Sequence, residues 1–190
     1  SQLQQGATST ELQEAIYLEQ RYARALDFLK IYGTKYALKS DTLAPEYGSP
    51  LNLLEKVEEL QVQENVLLHE EDELQKEFDM LDPWGDFSPE KVQRLSETIG
   101  MEMHFFRCTS KRFKAEWLDN FFAVPVNEYN KKTYFVTFSE SRPEIAAEHI
   151  TLPQKSLSQV HAEIGEVKKQ KFMVRQQMSA VANSLLPVLE

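Results

Sequence analysis

The chain has 190 residues, of which 42% are hydrophobic and 27% charged, and its formal net charge is -9. This composition fits one compact domain, or a small domain on an extended arm, and it excludes disorder throughout the chain. The negative charge argues against a general nucleic-acid binder, because polyanions reward clustered Lys and Arg. Cys108 is the only cysteine, which excludes an internal disulfide and a thiolate zinc cage; we expect it to be a buried small hydrophobe.

Membrane and targeting signals are not found in the sequence. No stretch approaches the ~20 apolar residues that a membrane-spanning helix needs, and no signal-peptide pattern occurs. We therefore expect the chain to be soluble. Because it starts at Ser1 and ends within a helical pattern at Glu190, we also expect it to be a piece of a longer protein.

The first predicted helix covers about residues 10–38 and precedes a loop marked by Pro45, Gly48 and Pro50. Three arrangements are open for it: it folds back as a third helix, it extends alone, or it pairs with a second copy. We favour the first. Its broad apolar stripe consists of Leu12, Ala15, Leu18, Tyr22, Ala25, Leu29, Tyr32 and Tyr36.

Two further helices, at residues 51–81 and 154–190, have apolar residues at alternating spacings of three and four, which is typical of a heptad seam. At ~1.5 Å per residue each helix would be ~45 to 50 Å long, and the pair predicts an antiparallel hairpin with the intervening segment at its tip. The first seam is Leu53, Val57, Leu60, Glu64, Leu67, Glu71, Leu74, Phe78 and Leu81. The second is Leu157, Val160, Ile164, Val167, Lys171, Val174, Met178, Val181, Leu185 and Val188.

Charge patterns support this pairing and suggest a register. Residues 51–81 carry ten acids and two lysines, whereas residues 156–190 carry four basic and three acidic residues. If Leu81 faces Leu157, Lys171 lies within reach of the seam acids Glu64 and Glu71. We hypothesise that these three polar residues fix the register of the coiled coil. The alternative, that all three point outward and only weaken the seam, is equally open.

Residues 82–153 predict a small α+β lobe. Asp82, Pro83, Trp84 and Gly85 end the long helix, and Ser88 caps a new helix that buries Val92, Leu95 and Ile99 and closes at Gly100. A strand follows at 101–108, then a helix from Ser110, a hairpin around residues 127–132 with Pro125 on an edge strand, a helical turn at 144–148, and a brief extended piece before Ser156 caps the returning helix. The predicted class is α+β, divided into a helical arm (1–81), a distal lobe (82–153) and a returning helix (154–190).

The sequence contains no nucleophile-elbow motif, no glycine-rich phosphate loop and no metal-binding motif. The acidic run after His69 lacks the second histidine of a helical zinc protease. His104, His149 and His161 have no partner at ligand spacing, and the glycines are scattered rather than clustered. We therefore predict no catalytic residue, no metal site and no cofactor.

One basic cluster suggests a partner. Arg107, Lys111, Arg112 and Lys114 fall close together, and three of them lie in the first turns of the helix predicted from Ser110. Cations there oppose the helix dipole at a cost of a few tenths of a kcal/mol each. The cluster is either a binding surface for an acidic partner or an ordinary solvated face. Trp117, which follows, is either lobe core or an exposed anchor for a partner helix.

The order of elements resembles a known family. A helical arm that exits through "LDPWGDFSPEKVQRLSETIGMEMHFFRC" into a small lobe, and a heptad helix that returns after "ITLPQKS", resemble the cytosolic half of subunit I of V-type (A/V-type) ATP synthases, the relative of eukaryotic subunit a. The turn Trp84 to Phe87 is the most specific part. This chain would be the distal lobe with part of the arm, without the proximal lobe's opening strand or any membrane helix.

The resemblance implies a non-catalytic stator component of a proton- or sodium-translocating rotary complex. Such a component binds the peripheral-stalk subunits E and G, is continuous with its own membrane domain, and lies on the cytoplasmic side of the membrane. It needs no cofactor and no nucleic acid, and the fragment itself does not insert into the membrane. A coiled-coil adaptor, or a module that forms a homodimer through its first helix, is the alternative function.

Overall fold

The computed structural model describes residues 2–36 and 48–189, with side-chain detail for residues 8–36 and 48–184. They divide into a helical unit, containing residues up to His69 and from Lys168, and a sheet unit, Glu70–Val167. The predicted α+β class is confirmed, with five α-helices and four strands in the described residues. These are α1 (Gln2–Tyr36), α2 (Pro50–Leu81), α3 (Pro89–Ile99), β1 (Glu102–Thr109), α4 (Glu116–Asn120), β2 (Val124–Tyr129), β3 (Lys132–Ser139), β4 (Glu148–Ile150) and α5 (Leu157–Leu189), with short 3-10 turns at Asp82–Trp84 and Ser110–Arg112.

Burial follows the two predicted seams closely. Their buried members in the helical unit are Leu53, Val57, Leu60, Glu64, Leu67, Val174, Met178 and Val181. Those in the sheet unit are Leu74, Leu81, Val160, Ile164 and Val167. Glu71 and Lys171 are half-buried, and the side chains of Leu185 and Val188 lie outside the described residues. The three-and-four spacing in the sequence therefore identifies the faces of α2 and α5 that avoid water.

In the helical unit, α1 packs against α2 as a third helix. Arg21 forms an ion pair with Glu58 at 2.5 Å, and the Tyr32 hydroxyl donates a hydrogen bond to Glu64 at 2.7 Å. Both contacts advance in the same direction along the two helices, so α1 runs parallel to α2. It begins at Gln2, earlier than the predicted residue 10, and the predicted end at residue 38 lies outside the described residues.

The four strands form an antiparallel sheet in the order β2-β3-β1-β4. β1 and β3 pair along their whole lengths, from Glu102 opposite Ser139 to Thr109 opposite Lys132. β2 is an edge strand, which confirms the expectation from Pro125, and an irregularity separates Pro125 from Asn127.

The abrupt stop at the end of α2 is explained by the way Trp84 packs against the sheet. Its buried indole meets the rings of Phe105 and Tyr134 edge-to-face, with centroids 5.0 and 5.5 Å away. Gly85 adopts φ +83, which a residue with a Cβ rarely adopts. The Asn127 side chain donates a hydrogen bond to the Pro83 carbonyl at 2.9 Å. Helix α2 ends there because the residues of the turn pack against the sheet as part of the lobe core.

Within the sheet unit, the start of α5 lies beside the end of α2. Lys155 Nζ contacts Glu77 at 2.9 Å and Glu163 at 3.0 Å, and the rings of Phe78 and His161 lie 6.3 Å apart. The Ser158 amide also donates a hydrogen bond to the Asp86 carboxylate at 3.1 Å. This places a negative charge at the N-terminus of α5, where the helix dipole favours it.

Several local predictions are confirmed and three need correction. Ser88 and Ser156 accept hydrogen bonds as helix caps, and Gly100 closes α3 at φ +73. The helix predicted from Ser110 is instead a 3-10 turn, Ser110–Arg112, separated from α4 by three residues. The stripe of α3 is not buried, since Leu95 and Ile99 are 43% and 49% exposed. Residues 144–147 are not helical, and β4 begins at Glu148.

Candidate interaction surface

One end of the sheet gathers basic residues from two segments. Thr109 at the end of β1 pairs with Lys132 at the start of β3. The Ser110 amide donates to the Lys131 carbonyl at 2.9 Å, and the Thr133 hydroxyl donates to the Ser110 hydroxyl at 2.9 Å. These bonds hold the segment after β1 beside the hairpin turn. We call the resulting surface the basic end; it comprises Lys111, Arg112, Lys114, Lys131 and Lys132.

The charges of the basic end are only weakly compensated. In the described part of the chain, Lys111, Arg112, Lys131 and Lys132 form no ion pair, and Lys114 lies 4.0 Å from Glu116. Lys132 is half-buried and the other four are exposed. A chain with a formal net charge of -9 therefore presents a local concentration of positive charge at this end of its sheet.

The turn between β2 and β3 is strained at a lysine. Asn130 and Lys131 form a two-residue loop and have φ of +49 and +61; a type I′ turn requires positive φ at both of these positions. Asn tolerates positive φ, and Gly is favoured after it. A lysine in the left-handed region costs about 1–2 kcal/mol in backbone energy. Lys131 thus stands where local stability favours glycine.

Arg107, a candidate for partner binding, is engaged within the sheet. Its guanidinium donates two hydrogen bonds to Glu148 on β4, from Nε at 3.1 Å and Nη2 at 2.5 Å. The hydrogen bond to Glu148 raises the pKa of Arg107. Because its charge is matched by Glu148, Arg107 serves the β1–β4 pairing and is left out of the basic end.

Trp117, the candidate anchor, lies in the lobe core. It is 4% exposed and stacks on Phe135 with ring centroids 5.6 Å apart. The same cluster contains Phe106, Cys108 and Ala123. A ring so enclosed cannot contact a partner without unfolding the lobe, so the structure favours the core interpretation of Trp117.

The cations after Ser110 do not lie at the N-terminus of a helix, contrary to the sequence prediction. Lys111 and Arg112 lie in a 3-10 turn and Lys114 in the connection to α4, whose first turn carries Glu116 and Asp119. Acids at that position are favourable. The cations are therefore not forced against a helix dipole, and they follow Ser110, which is hydrogen-bonded to the β2–β3 turn.

Lys131 and Lys132 were missed by the sequence analysis. The sequence predicts a hairpin around residues 127–132 without specifying its turn, whereas β2 continues to Tyr129 and β3 starts at Lys132. The signal was present: Asn130 suits a two-residue turn, and such a turn would have placed both lysines beside the end of β1. Tyr129, 59% exposed next to the turn, was also overlooked.

An apolar surface lies at the opposite end of β3. Ile99, Met101, Phe122 and Phe138 line a shallow hollow. Phe122 is 57% exposed and has φ +49, unusual for an aromatic residue. Ile99 in this hollow and Leu95 nearby on α3 are exposed, although the sequence predicts that both are buried.

The three proposed register residues have different surroundings. Glu64 is buried in the helical unit and accepts a hydrogen bond from Tyr32 of α1. Lys171 belongs to the helical unit and Glu71 to the sheet unit, and both are half-buried. The structure therefore gives Glu64 a partner that the sequence analysis did not consider, and the register hypothesis for the three stays a prediction.

Cys108, His104 and His149 are titratable groups of the sheet unit, and the rings of the two histidines lie 5.9 Å apart. Over the described ranges, no three His, Cys, Asp or Glu side chains are placed to hold a metal ion. Cys108 is buried, and burial raises the pKa of its thiol. Burial, together with the nearby Arg142 and His104, lowers the pKa of His149. Among the described helices, none has the length and apolar character of a membrane span.

Because comparison with known proteins found no match, a function can be proposed only from the sequence and the structure of the chain itself. No protein family, curated protein or solved structure matches this chain.

Proposed function

We propose that this chain is a stator component of a rotary V-type ATP synthase or ATPase, the cytosolic part of subunit I. The observation that carries the proposal is the contact between the end of α2 and the start of α5, Lys155 with Glu77 and Phe78 with His161, beside a Trp84 turn packed on the sheet. A lobe held by two helices in this way suits a part that transmits force.

The finer architecture belongs to this proposal. We infer that α2 and α5 pair along their lengths as an antiparallel hairpin that carries the lobe at its tip. The register set by Phe78 and His161, extended along α2 and α5, agrees with Leu81 facing Leu157. A rod of paired seams resists bending better than a linker rich in loops, which a stator requires. No catalytic group is needed for this role.

The partners follow from the same proposal. The lobe would bind the peripheral-stalk subunits E and G, and the arm would continue to the membrane domain of the longer protein. The chain would then work on the cytoplasmic side of the membrane within an integral membrane complex, without a cofactor or nucleic acid.

Calorimetric titration of the chain with a purified E/G stalk heterodimer, at low and at physiological salt, tests the proposal. Saturable one-to-one binding that weakens with salt is expected, because charged contacts are screened. Absence of both heat and co-elution at high micromolar concentration would count against the stator role.

A dimerisation module is the second candidate, favoured by the exposed part of α1. Leu12, Ile16 and Tyr17 are 61%, 45% and 60% exposed, and every residue from 8 to 17 is exposed. Exposed apolar side chains on one helix are covered when a second copy packs against them, so dimerisation would stabilise this segment. Sedimentation equilibrium separates the two candidates, since a dimer gives a mass that rises with concentration and falls in a Leu12→Glu, Ile16→Glu variant.

A further inference from the structure

We propose that the basic end is the docking surface for an acidic helical segment of a partner protein. The inference rests on the proposed function for the identity of that partner, and on the geometry of Lys111, Arg112, Lys114, Lys131 and Lys132 for its chemistry. It differs from the surface expected from the sequence, because Arg107 and Trp117 are excluded and two lysines of the hairpin turn are added.

Backbone pairing brings the two basic segments together. Neighbouring strands lie about 4.8 Å apart, so Lys132 and the end of β1 are adjacent. The bond from the Ser110 amide to the Lys131 carbonyl ties the turn to the 3-10 segment. Carboxylates at i and i+4 on a helix are spaced by about 5–6 Å, so one face of an acidic helix can present several of them to the clustered cations.

The backbone of Lys131 gives an independent reason to expect a function. Lys131 is held at φ +61, where glycine would relieve the strain, and its side chain is exposed. Residues with strained backbone conformations cluster at functional sites, so an observed outlier suggests a function. Retaining the Lys131 charge at this cost suits a surface that uses it.

Tyr129 supplies the apolar part that a docking surface needs. Its ring is exposed beside the turn, and its backbone pairs with Lys132. Tyr and Arg are enriched at protein interfaces, where an aromatic anchor among charges accounts for much of the affinity. Here Tyr129 and Arg112 would play these parts, in place of the buried Trp117.

Charge favours an acidic protein over nucleic acid. Binding to a phosphate backbone draws on a wide positive field, but this chain has a net charge of -9, and ten acids lie in residues 51–81 alone. The basic end is a local patch of five cations, enough for one row of carboxylates on a helix.

The test is a nuclear magnetic resonance titration of the isotope-labelled chain with a synthetic helical peptide carrying Glu at i, i+4 spacing. A peptide with Gln in place of every Glu is the control ligand. The expected result is a set of shift changes confined to residues 109–116 and 129–133, seen with the Glu peptide only. Changes centred elsewhere, or equal changes with both peptides, would overturn the inference.

Charge reversal then identifies the contributing residues. The triple change Lys111→Glu, Arg112→Glu, Lys131→Glu should weaken Glu-peptide binding by about tenfold or more, as several exposed charge contacts are lost together. The matched control, Lys91→Glu, Lys168→Glu, Lys169→Glu, reverses as many exposed charges elsewhere and should leave binding unchanged. Equal effects of the two triple changes would show a nonspecific charge effect and overturn the inference. If the triple variant does not fold, Lys131→Gly replaces it, because this change removes one charge and relieves backbone strain. The Lys131→Gly variant should be folded and should bind the Glu peptide more weakly than the native chain.

Two further titrations separate this inference from the stator role. If E/G stalk binds the native chain and the charge-reversed variant equally, the stator role stands and this docking surface fails. If the Glu peptide binds at the basic end but the stalk does not bind the chain, the surface stands and the stator role fails. Tighter binding of a DNA duplex than of the Glu peptide at physiological salt would also overturn the inference.

Discussion

The Tyr32 hydroxyl donates a 2.7 Å hydrogen bond to the Glu64 carboxylate, joining α1 to α2 in the interior of the helical unit. The two residues are 3% and 8% exposed. Burial and this hydrogen bond raise the pKa of Tyr32. Next to them, the Arg175 guanidinium of α5 lies over the Tyr36 ring at 4.3 Å. A polar layer of side chains from all three helices therefore crosses this part of the unit.

Tyr32→Phe should destabilise the helical unit by about 1–3 kcal/mol, because a buried acceptor loses its donor. Urea unfolding followed by circular dichroism measures the change. Replacing both partners by apolar groups, in Tyr32→Phe with Glu64→Leu, should recover part of the loss, since no polar group is then left unsatisfied. A neutral Tyr32→Phe change would mean that this bond does not hold α1 in place.

The strained turn gives a second prediction. Lys131→Gly should stabilise the sheet unit by about 1 kcal/mol, because glycine adopts positive φ without steric cost. Lys131→Ala removes the same charge while keeping the Cβ, and it should give no such gain. Thermal unfolding gives the melting temperature of each variant. Equal melting temperatures for the Gly and Ala variants would show that the backbone of Lys131 is not strained.

The thiol of Cys108 should be protected in the folded chain. Burial raises its pKa and lowers the fraction of reactive thiolate at a given pH. Reaction with a chromogenic disulfide reagent at mildly alkaline pH should be about a hundredfold or more slower than in denaturant, because it requires local opening. Comparable rates with and without denaturant would place Cys108 on a mobile surface instead.

The lowered pKa of His149 leads us to expect that the free energy of unfolding decreases toward acid pH. Its pKa is lower in the folded chain than the ordinary value of 6.5, so the unfolded chain binds the proton more tightly. Stability should therefore fall as pH drops below about 6.5 and level off below the folded pKa. Groups facing the ring include Arg142, His104 and Phe106.

His149→Gln isolates this contribution, because acidic groups elsewhere titrate identically in both chains. Its urea midpoint should change less between pH 7.5 and 5.5 than that of the native chain. An unchanged pH dependence in the variant would show that His149 does not titrate as its surroundings indicate.

Helical periodicity and capping were readable from the sequence because they depend on neighbours within one turn. The buried seam residues of α2 and α5, and the caps Ser88 and Ser156, occur where spacing and side-chain chemistry predict them. Pro125 likewise indicated an edge strand, since it lacks a backbone donor.

Features that depend on contacts between distant parts of the chain could not be predicted from the sequence. The apolar residues Leu95 and Ile99 of α3 suggested burial, but α3 in the sheet unit leaves them partly exposed. Trp117 could be assigned to core or surface only once its stacking on Phe135 was known. Lys131 and Lys132 joined the basic end through the register of β1 with β3, which depends on the turn length.

The proposed hairpin depends on α2 and α5 remaining paired beyond the contact of Phe78 with His161. Spin-label distances measured in a Cys108→Ala background test this directly. Lys76 and Ala162 lie in the sheet unit, and Val62 and Gln176 in the helical unit; all four occupy outward positions of the two heptads.

Labels on Lys76 and Ala162 should be separated by about 20 Å, since packed helix axes lie about 8–10 Å apart and each helix has a radius of about 5 Å. An antiparallel hairpin with one continuous register predicts the same distance for Val62 and Gln176. A Val62–Gln176 distance longer by more than about one helix diameter, about 10 Å, would show that the helices diverge and would contradict the rod on which the stator proposal depends.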